Sequence, residues 1–305
     1  MALVAVNARG GELDGEDRLR QALLRPGCAS VTVMIHGYRF CPFGAPSHNP
    51  HRHILSDTPT RDCWKAVSWP RHLRLTQEGA LGVALGWSAQ GTLAQAYARA
   101  GETGTALARI AQVVAAERPG LPVNVIAHSL GARVALSALP ALRAGALSRM
   151  ILLSGAEYRG RAAQALGNPA GRSARVLNVT SRENLPFDAA FRALIRPDSW
   201  HDLPLSAGMA DRHGGWIDLR IDDPAQAARL ARMGFRLRPP VARFCHWSGY
   251  MRPGVFRLYR ALLDDPGGTL FARLSDVLGA PRRRPRNWPP RSDTCPDTWQ
   301  VTGDR

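Results

Sequence analysis

The sequence predicts an α/β fold, with a mostly parallel, twisted sheet of about six to eight strands and helices on both of its faces. Short apolar runs with the length of buried strands alternate with helix-like segments, which is typical of a covered parallel sheet. The 305 residues, 45% of them hydrophobic, are enough to bury one large core. We therefore expect one main domain, at residues 1–278.

Each element is indicated by its apolar pattern and by its boundary residues. Strand-like runs occupy residues 2–6, 31–35, 82–86, 123–127, 150–153, 176–180 and 216–221. Helix-like segments occupy residues 15–24, 91–100, 105–117 and 189–194, and two more begin at Leu130 and near Pro253. The pair Pro119 and Gly120, after the segment at residues 105–117, is a usual helix stop signal.

Two stretches fall outside this alternation. Residues 38–73 form a long irregular stretch rich in Pro, His, Arg and Trp, and such a length favours a lid or binding loop over a simple connection. From Gly279 onward the composition changes to Pro, Arg and Asp, which bury little apolar surface. We expect residues 279–305 to be a mobile tail.

The formal net charge of +16 would ordinarily favour nucleic acid or an anionic membrane as a partner. Lys65 is the only lysine, however, and the arginines are scattered along the chain. We expect no nucleic-acid partner, whereas peripheral contact with a membrane stays open. The sequence has no apolar run of 18 residues and no secretory signal pattern at its N-terminus, so the expected location is cytoplasmic.

Cysteine and histidine usage gives no pattern of a metal site. The five cysteines are an odd number with no CxxC pair, which favours free thiols over a disulfide framework. His48, His51 and His53 are common ligand types close together, but no Asp, Glu or Cys pattern nearby completes a site. We expect these rings to be polar groups of the lid, with no metal bound.

The segment at residues 123–136 joins a buried strand to an amphipathic helix through Ser129. A nucleophilic serine at such a junction lies on a strained turn, so the residues two before and two after it must be small. Ala127 and Gly131 meet this requirement, although Ala127 stands where a glycine is usual. The pattern predicts that Ser129 is a nucleophile. The alternative is a serine that only caps the helix.

A second strand, at residues 31–35, ends in the pair His36 and Gly37. Together with the Ser129 segment, this pair makes residues 2–275 resemble the α/β-hydrolase superfamily. The resemblance implies an oxyanion hole formed by the backbone N–H groups of Tyr38 and Leu130, which would stabilise a tetrahedral intermediate. We expect His36 itself to be structural and not catalytic. The short segment before its strand suggests that the first hairpin of the fold is reduced.

A serine nucleophile needs a base, because its hydroxyl is almost fully protonated at neutral pH. In the superfamily that this chain resembles, the histidine follows the nucleophile and the acid along the chain. His246 fits this position, since it lies in a loop before the terminal helix that begins near Pro253. His213 is the less favoured candidate because it precedes the strand at residues 216–221. A histidine merely packed among aromatic residues is the alternative for His246.

The acid is expected just beyond the strand at residues 176–180. Many relatives in the superfamily carry Asp about four residues past this strand, where this chain has Asn184. Glu183 is the first candidate, because its longer carboxylate can reach a histidine ring. Asp188 is the second, although its place before a helix also suits an N-cap. Asn184 is the third, since an amide can still hold an imidazole in one tautomer.

These observations predict a serine hydrolase that cleaves an ester or related acyl bond of a small-molecule substrate through an acyl-enzyme. The expected groups are Ser129, His246 and either Glu183 or Asp188, and no metal or organic cofactor is required. A binding protein of the same fold with weak or no activity is the alternative, motivated by Asn184 in place of the usual Asp.

Overall fold

The computed structural model describes residues 3–9, 12–77, 79–209, 214–240 and 242–279. An eight-stranded sheet runs through this part of the chain. Its strands are β1 (Leu3–Arg9), β2 (Glu12–Asp14), β3 (Ser30–Ile35), β4 (Ala80–Gly86), β5 (Val123–His128), β6 (Arg149–Leu153), β7 (Arg175–Thr180) and β8 (Trp216–Arg220). Their order is β2-β1-β4-β3-β5-β6-β7-β8, and only the β1–β2 pair is antiparallel. The predicted α/β class with a mostly parallel sheet is confirmed.

Helices follow most of the strands. They are α1 (Glu16–Leu23), α2 (Trp69–His72), α3 (Leu93–Glu117), α4 (Leu130–Ala138), α5 (Arg159–Leu166), α6 (Pro169–Ser173), α7 (Leu185–Leu194), α8 (Pro224–Arg232), α9 (Ser248–Met251), α10 (Val255–Leu263) and α11 (Thr269–Leu278). No helix in the described ranges is long and apolar enough to cross a membrane.

The sheet separates two apolar cores, because successive side chains of a strand point to opposite faces. Val125 of β5 belongs to the core shared with Leu107 of α3 and Val134 of α4. Ile126, the next residue, belongs to the second core, which includes Leu258 of α10. Strands that are covered on both faces have continuous apolar sequences, which explains why these strands could be predicted from the sequence.

The region after β4 differs from the prediction. Two helices were expected at residues 91–100 and 105–117, but α3 is one continuous helix. Gly104 lies where α3 meets α4, and a Cβ there would approach the Ser137 carbonyl carbon to 2.7 Å. The close packing of α3 on α4 therefore requires a glycine, and burial outweighs its low helix propensity. Thr92 and Gln95 form a capping box that fixes the start of the helix.

The stretch at residues 38–73 has two short 3₁₀ turns, Pro46–His48 and Pro50–Arg52, before α2. Only part of it lies over the surface. Ile54, Leu55 and Trp69 are fully buried in the second core, so the middle and end of the stretch are structural. The first two strands form a short antiparallel pair, in which β2 has three residues. His213 and the expected tail beyond Gly279 lie outside the described residues.

The carboxyl ends of the parallel strands meet at one edge of the sheet. His36 follows β3, Ser129 follows β5 and Ser181 follows β7, and β3 and β5 are direct neighbours. In open α/β sheets, ligands bind in the crevice outside this edge. The candidate residues named from the sequence therefore share the part of the fold where a site is expected.

Candidate active site

Ser129 occupies a strained turn between β5 and α4. Its φ of 55° and ψ of −122° lie in a region that side-chain-bearing residues rarely adopt, and such strain concentrates at functional sites. The surrounding backbone holds this conformation. The Ser129 N–H donates to the Leu153 carbonyl at 2.9 Å, and the Ser129 carbonyl accepts from the N–H groups of Ala132 and Ala156 at 3.0 Å.

Small residues allow the neighbouring strand and loop to approach this turn. A Cβ on Gly131 would lie 2.8 Å from the carbonyl oxygens of Ile35 and His36. A Cβ on Gly37 would lie 2.7 Å from the Ser129 Cβ and 2.9 Å from the His128 carbonyl oxygen. The segment after β3 is thus in direct contact with the serine, and neither glycine tolerates a side chain without backbone movement.

Two backbone N–H groups beside Ser129 have no acceptor among the described residues. Leu130 is the first residue of α4, so its N–H has no partner within the helix. The N–H of Tyr38 likewise donates to no described group, although its hydroxyl donates to the Gly91 carbonyl at 2.6 Å. These are the two donors that the resemblance implied.

His36 is buried and used within the fold. The Trp87 N–H donates to its Nε2 at 3.1 Å, so the proton of the neutral ring is on Nδ1, 2.9 Å from the Gly37 carbonyl oxygen. Burial lowers the pKa of His36 to about 3. Its ring stacks on Trp87 with 5.4 Å between centroids. A neutral, fully bonded ring holds the start of the segment that contains Gly37 and Tyr38.

His246 is held by Asn184. Its Nδ1 donates to the Asn184 Oδ1 at 2.6 Å, which leaves the Nε2 lone pair free to accept a proton. Its ring also stacks on Phe187, with 4.8 Å between centroids. Burial lowers the pKa of His246 well below its ordinary value of 6.5, with further lowering by His128 and Lys65. The ring is therefore neutral at pH 7.

Asp188 fixes the orientation of the Asn184 amide. The Asn184 Nδ2 donates to the Asp188 Oδ1 at 2.8 Å. An ionised carboxylate only accepts hydrogen bonds, so the amide must turn its NH₂ group to Asp188 and its oxygen to His246. Burial raises the pKa of Asp188 to about 6, which leaves it ionised at neutral pH. Among the described residues, hydrogen bonds connect Asp188 to the imidazole only through Asn184.

Glu183 lies elsewhere, and the predicted ranking of the acid candidates is corrected accordingly. Its carboxylate accepts from the Arg252 guanidinium and, at 2.8 Å, from the Ser181 hydroxyl. Both members of the Glu183–Arg252 ion pair are buried. No hydrogen bond joins Glu183 or Asp188 to the His246 ring in the described residues. The Glu183 carboxylate binds Arg252, and Asn184 lies between Asp188 and the ring. Asp188 also lies within α7, so it is not the N-cap that was weighed.

His128 holds the loop of His246 next to the serine. Its Nε2–H donates to the His246 carbonyl oxygen at 3.0 Å, and the two rings are 4.6 Å apart between centroids. Burial lowers the pKa of His128 to about 4, so this ring is also neutral. His128 was not among the site residues predicted from the sequence. Its position directly before the serine was the available signal.

Ser129 and His246 are on the same side of the sheet edge but are not hydrogen-bonded to each other in the described structure. His128 connects them, because it precedes Ser129 in the chain and bonds the backbone of His246. In enzymes without substrate, the bonds between nucleophile and base are often long, and they tighten when substrate binds.

The histidines of the stretch at residues 38–73 have separate surroundings. His51 contacts the Asn7 Oδ1 through its Nε2 at 2.7 Å, while His53 packs on Phe40 with 4.9 Å between centroids. His48 is exposed near Ser47. Within the described ranges, no three His, Cys, Asp or Glu side chains are grouped so that they could hold a metal ion.

Comparison with known proteins adds no family assignment. No protein-family model matches the sequence, and a search of curated proteins finds no significant match. The eight-stranded, mostly parallel sheet is compatible with the α/β-hydrolase fold that the sequence motifs resemble.

Proposed function

We propose that this chain is a serine hydrolase that cleaves an ester or related acyl bond, with Ser129 as nucleophile. The observation that carries the proposal is the strained φ of 55° at Ser129, together with two neighbouring N–H groups that have no acceptor among the described residues. A helix cap needs no such backbone, since capping residues are usually extended. Free donors at this point suit an oxygen that becomes negative during acyl transfer.

In the proposed mechanism, the Ser129 Oγ attacks the acyl carbonyl carbon and His246 Nε2 takes its proton. The N–H groups of Tyr38 and Leu130 bind the oxyanion. His246 then returns the proton to the leaving group, and an acyl-enzyme forms. Water, deprotonated by the same imidazole, attacks the acyl-enzyme and releases the acid.

Asn184 gives this mechanism a particular electrostatic character. Its oxygen holds the His246 tautomer, but it adds no negative charge next to the imidazolium that forms during the reaction. A carboxylate at this place stabilises the charged ring, and an opposite charge typically raises such a pKa by about 1–3 units. We therefore expect a correctly oriented but weak base and a modest turnover number.

A fluorophosphonate probe tests the proposal, because it labels serines activated by a base. Wild-type protein should be labelled, and Ser129→Ala should not. Ser154→Ala is the matched control, because Ser154 is also buried, has a positive φ of 47° and directly follows the neighbouring strand β6. The control should be labelled like the wild type. Hydrolysis of 4-nitrophenyl esters of increasing acyl length then shows which acyl groups are accepted.

A second candidate is a binding protein that uses the same site without catalysis. It is favoured by the absence of a carboxylate on His246 Nδ1 in the described structure. Folded wild-type protein that resists the fluorophosphonate and hydrolyses no ester of any length would reject the hydrolase and leave this candidate.

A further inference from the structure

The single lysine of the chain lies beside the candidate base. Lys65 is the only lysine in a chain with 40 basic residues. Its Nζ lies 3.4 Å from the centre of the Trp247 ring and 5.4 Å from that of Trp64. Trp247 directly follows His246, and the two rings are 6.0 Å apart between centroids. The stretch at residues 38–73 thus brings an ammonium group to the loop that holds the imidazole.

Among the described residues, Lys65 forms no ion pair and no side-chain hydrogen bond, so no carboxylate there neutralises its ammonium. Two acidic residues close to the His246 loop already have other partners. Glu183 pairs with Arg252, and Asp188 accepts from Asn184. The charge of Lys65 acts on the site electrostatically. Burial lowers the pKa values of His246 and His53, and Lys65 lowers them further.

The chemistry of the ammonium indicates what it can bind. A tryptophan face attracts a cation and holds it in place, but the ring uses only one side of the ammonium. A lysine ammonium has three N–H donors, so donors remain for another ligand. Carboxylate and phosphate oxygens form charge-assisted hydrogen bonds with such donors. The neutral Asn184 also places the carboxylate of Asp188 one hydrogen bond further from the imidazole, which weakens its repulsion of an anion there.

The position of Lys65 next to His246 indicates which part of the substrate carries the anion. In the mechanism proposed above, His246 gives its proton to the leaving group, so the leaving group lies on the imidazole side of the serine. We propose that Lys65 binds an anionic group, a carboxylate or a phosphate, on the leaving-group part of the substrate. This inference rests on the proposed hydrolase function.

Matched aryl acetates test the inference. Methyl 4-acetoxybenzoate is the neutral substrate, and 4-acetoxybenzoate and 4-acetoxyphenyl phosphate carry the two anions on the leaving group. For each substrate, kcat/KM of a variant is divided by that of the wild type, so intrinsic reactivity cancels. Lys65→Met should lower the anionic-to-neutral ratio of kcat/KM about tenfold or more for at least one anion, since it removes a charge-assisted bond. The anion whose ratio falls shows whether Lys65 binds a carboxylate or a phosphate.

Two control variants separate the specific effect from general charge. Lys65→Arg keeps the cation and should keep the anionic preference. Arg61→Met removes an exposed cation of the same stretch and should leave the ratio within about twofold. A ratio in Lys65→Met within twofold of the wild type for both anions would overturn the inference. So would a loss confined to 4-nitrophenyl hemiglutarate relative to 4-nitrophenyl valerate, because that result places the cation on the acyl side.

A binding measurement distinguishes failure of this inference from failure of the hydrolase proposal. Calorimetric titration of 4-hydroxybenzoate and 4-hydroxyphenyl phosphate into Ser129→Ala requires no catalysis. Binding of either anion that weakens about tenfold in Ser129→Ala/Lys65→Met supports the anion site even where no ester is hydrolysed. Equal binding to both proteins, or none to either, counts against it.

Discussion

Asn184 accepts the hydrogen bond that His246 Nδ1 donates, at 2.6 Å, in the position where a carboxylate is usual in the superfamily that the chain resembles. The carboxylate has not been lost from the region. Asp188 stands one hydrogen bond further back and orients the amide. With imidazole, amide and carboxylate in series, the ring keeps the orientation of a base, but no negative charge is in direct contact with it. The effects of orientation and of charge can therefore be measured separately.

Removing the Asn184 amide should abolish the fixed orientation of the His246 ring. In Asn184→Ala the imidazole loses the acceptor of its Nδ1 proton, so both tautomers are populated and the productive one is no longer enforced. We expect kcat of the most active 4-nitrophenyl ester to fall about 100-fold or more, by comparison with the large effects of a wrong tautomer in serine hydrolases. A decrease of less than threefold would show that Asn184 does not orient the base.

Exchanging the two side chains should restore a charged partner. In the double variant Asn184→Asp/Asp188→Asn, a carboxylate faces His246 and an amide supports it from behind. The carboxylate raises the His246 pKa by about 1–3 units, so the imidazolium formed in the reaction is more stable. We expect kcat to rise about tenfold at pH 8. Because the base must be neutral, the acid side of the pH–rate profile should move to higher pH by a similar number of units.

One result of the exchange would contradict this prediction. An unchanged pH–rate profile with unchanged kcat would mean that residue 184 does not sense the charge of His246. The single variant Asn184→Asp is the control. It places two carboxylates side by side, and since like charges resist joint ionisation, one proton should be shared between them.

Asp188 should lower stability at neutral pH. Its folded-state pKa of about 6 lies above the ordinary value of 3.8, so the folded state prefers the protonated form. Ionisation therefore favours unfolding as pH rises from about 4 to about 6. Asp188→Asn avoids this cost, and we expect its free energy of unfolding to exceed that of the wild type by roughly 2 kcal/mol at pH 8.

Urea unfolding at several pH values measures this difference. The gain of Asp188→Asn should be nearly absent at pH 4, should grow up to about pH 6 and should then stay constant. Asp17→Asn, at an exposed position, is the control and should change stability by less than about 0.5 kcal/mol at any of these pH values. A variant less stable than the wild type at pH 8 would contradict the raised pKa.

Glu183 should contribute to stability and not to the orientation of the base. Glu183→Gln leaves the buried Arg252 without its anion, and removing one partner of a buried ion pair costs about 3–5 kcal/mol. The folded fraction should keep the pH–rate profile of the wild type. In Glu183→Gln/Arg252→Met, which replaces the remaining charge, much of the stability should return. A displaced pH profile without loss of stability would instead make Glu183 a partner of His246.

Gly131 should be essential for the turn at Ser129. A Cβ at this position meets two backbone oxygens at 2.8 Å, so Gly131→Ala must separate α4 from β3. We expect a loss of at least about 2 kcal/mol of stability, in the range of overpacked cores, and loss of fluorophosphonate labelling. Gly214→Ala is the control, because no described residue lies within 4 Å of a Cβ there, and its stability and labelling should be unchanged. Full labelling of Gly131→Ala would exclude a tight turn.

The parts of this protein that could be predicted from sequence are local. The strands covered on both faces are continuous apolar runs, and the small residues around Ser129 are demanded by a turn of a few residues. The continuous α3 was missed because Gly101 and Gly104 read as breakers, whereas the contact of Gly104 with α4 is a tertiary feature. The short β2 was missed because three residues of mixed polarity have no periodicity to detect.

The partner of His246 shows the same division more sharply. The sequence by itself determined that an acid or amide near residues 183–188 would follow β7, and that His246 would follow the last strand. Only the tertiary structure decided which side chain meets the ring, because the 3₁₀ turn Arg182–Asn184 points adjacent residues in different directions. Arg252, 69 residues after Glu183, draws that carboxylate away and leaves Asn184 for the imidazole. Side-chain length and local propensity contain no information about a partner so distant in the chain.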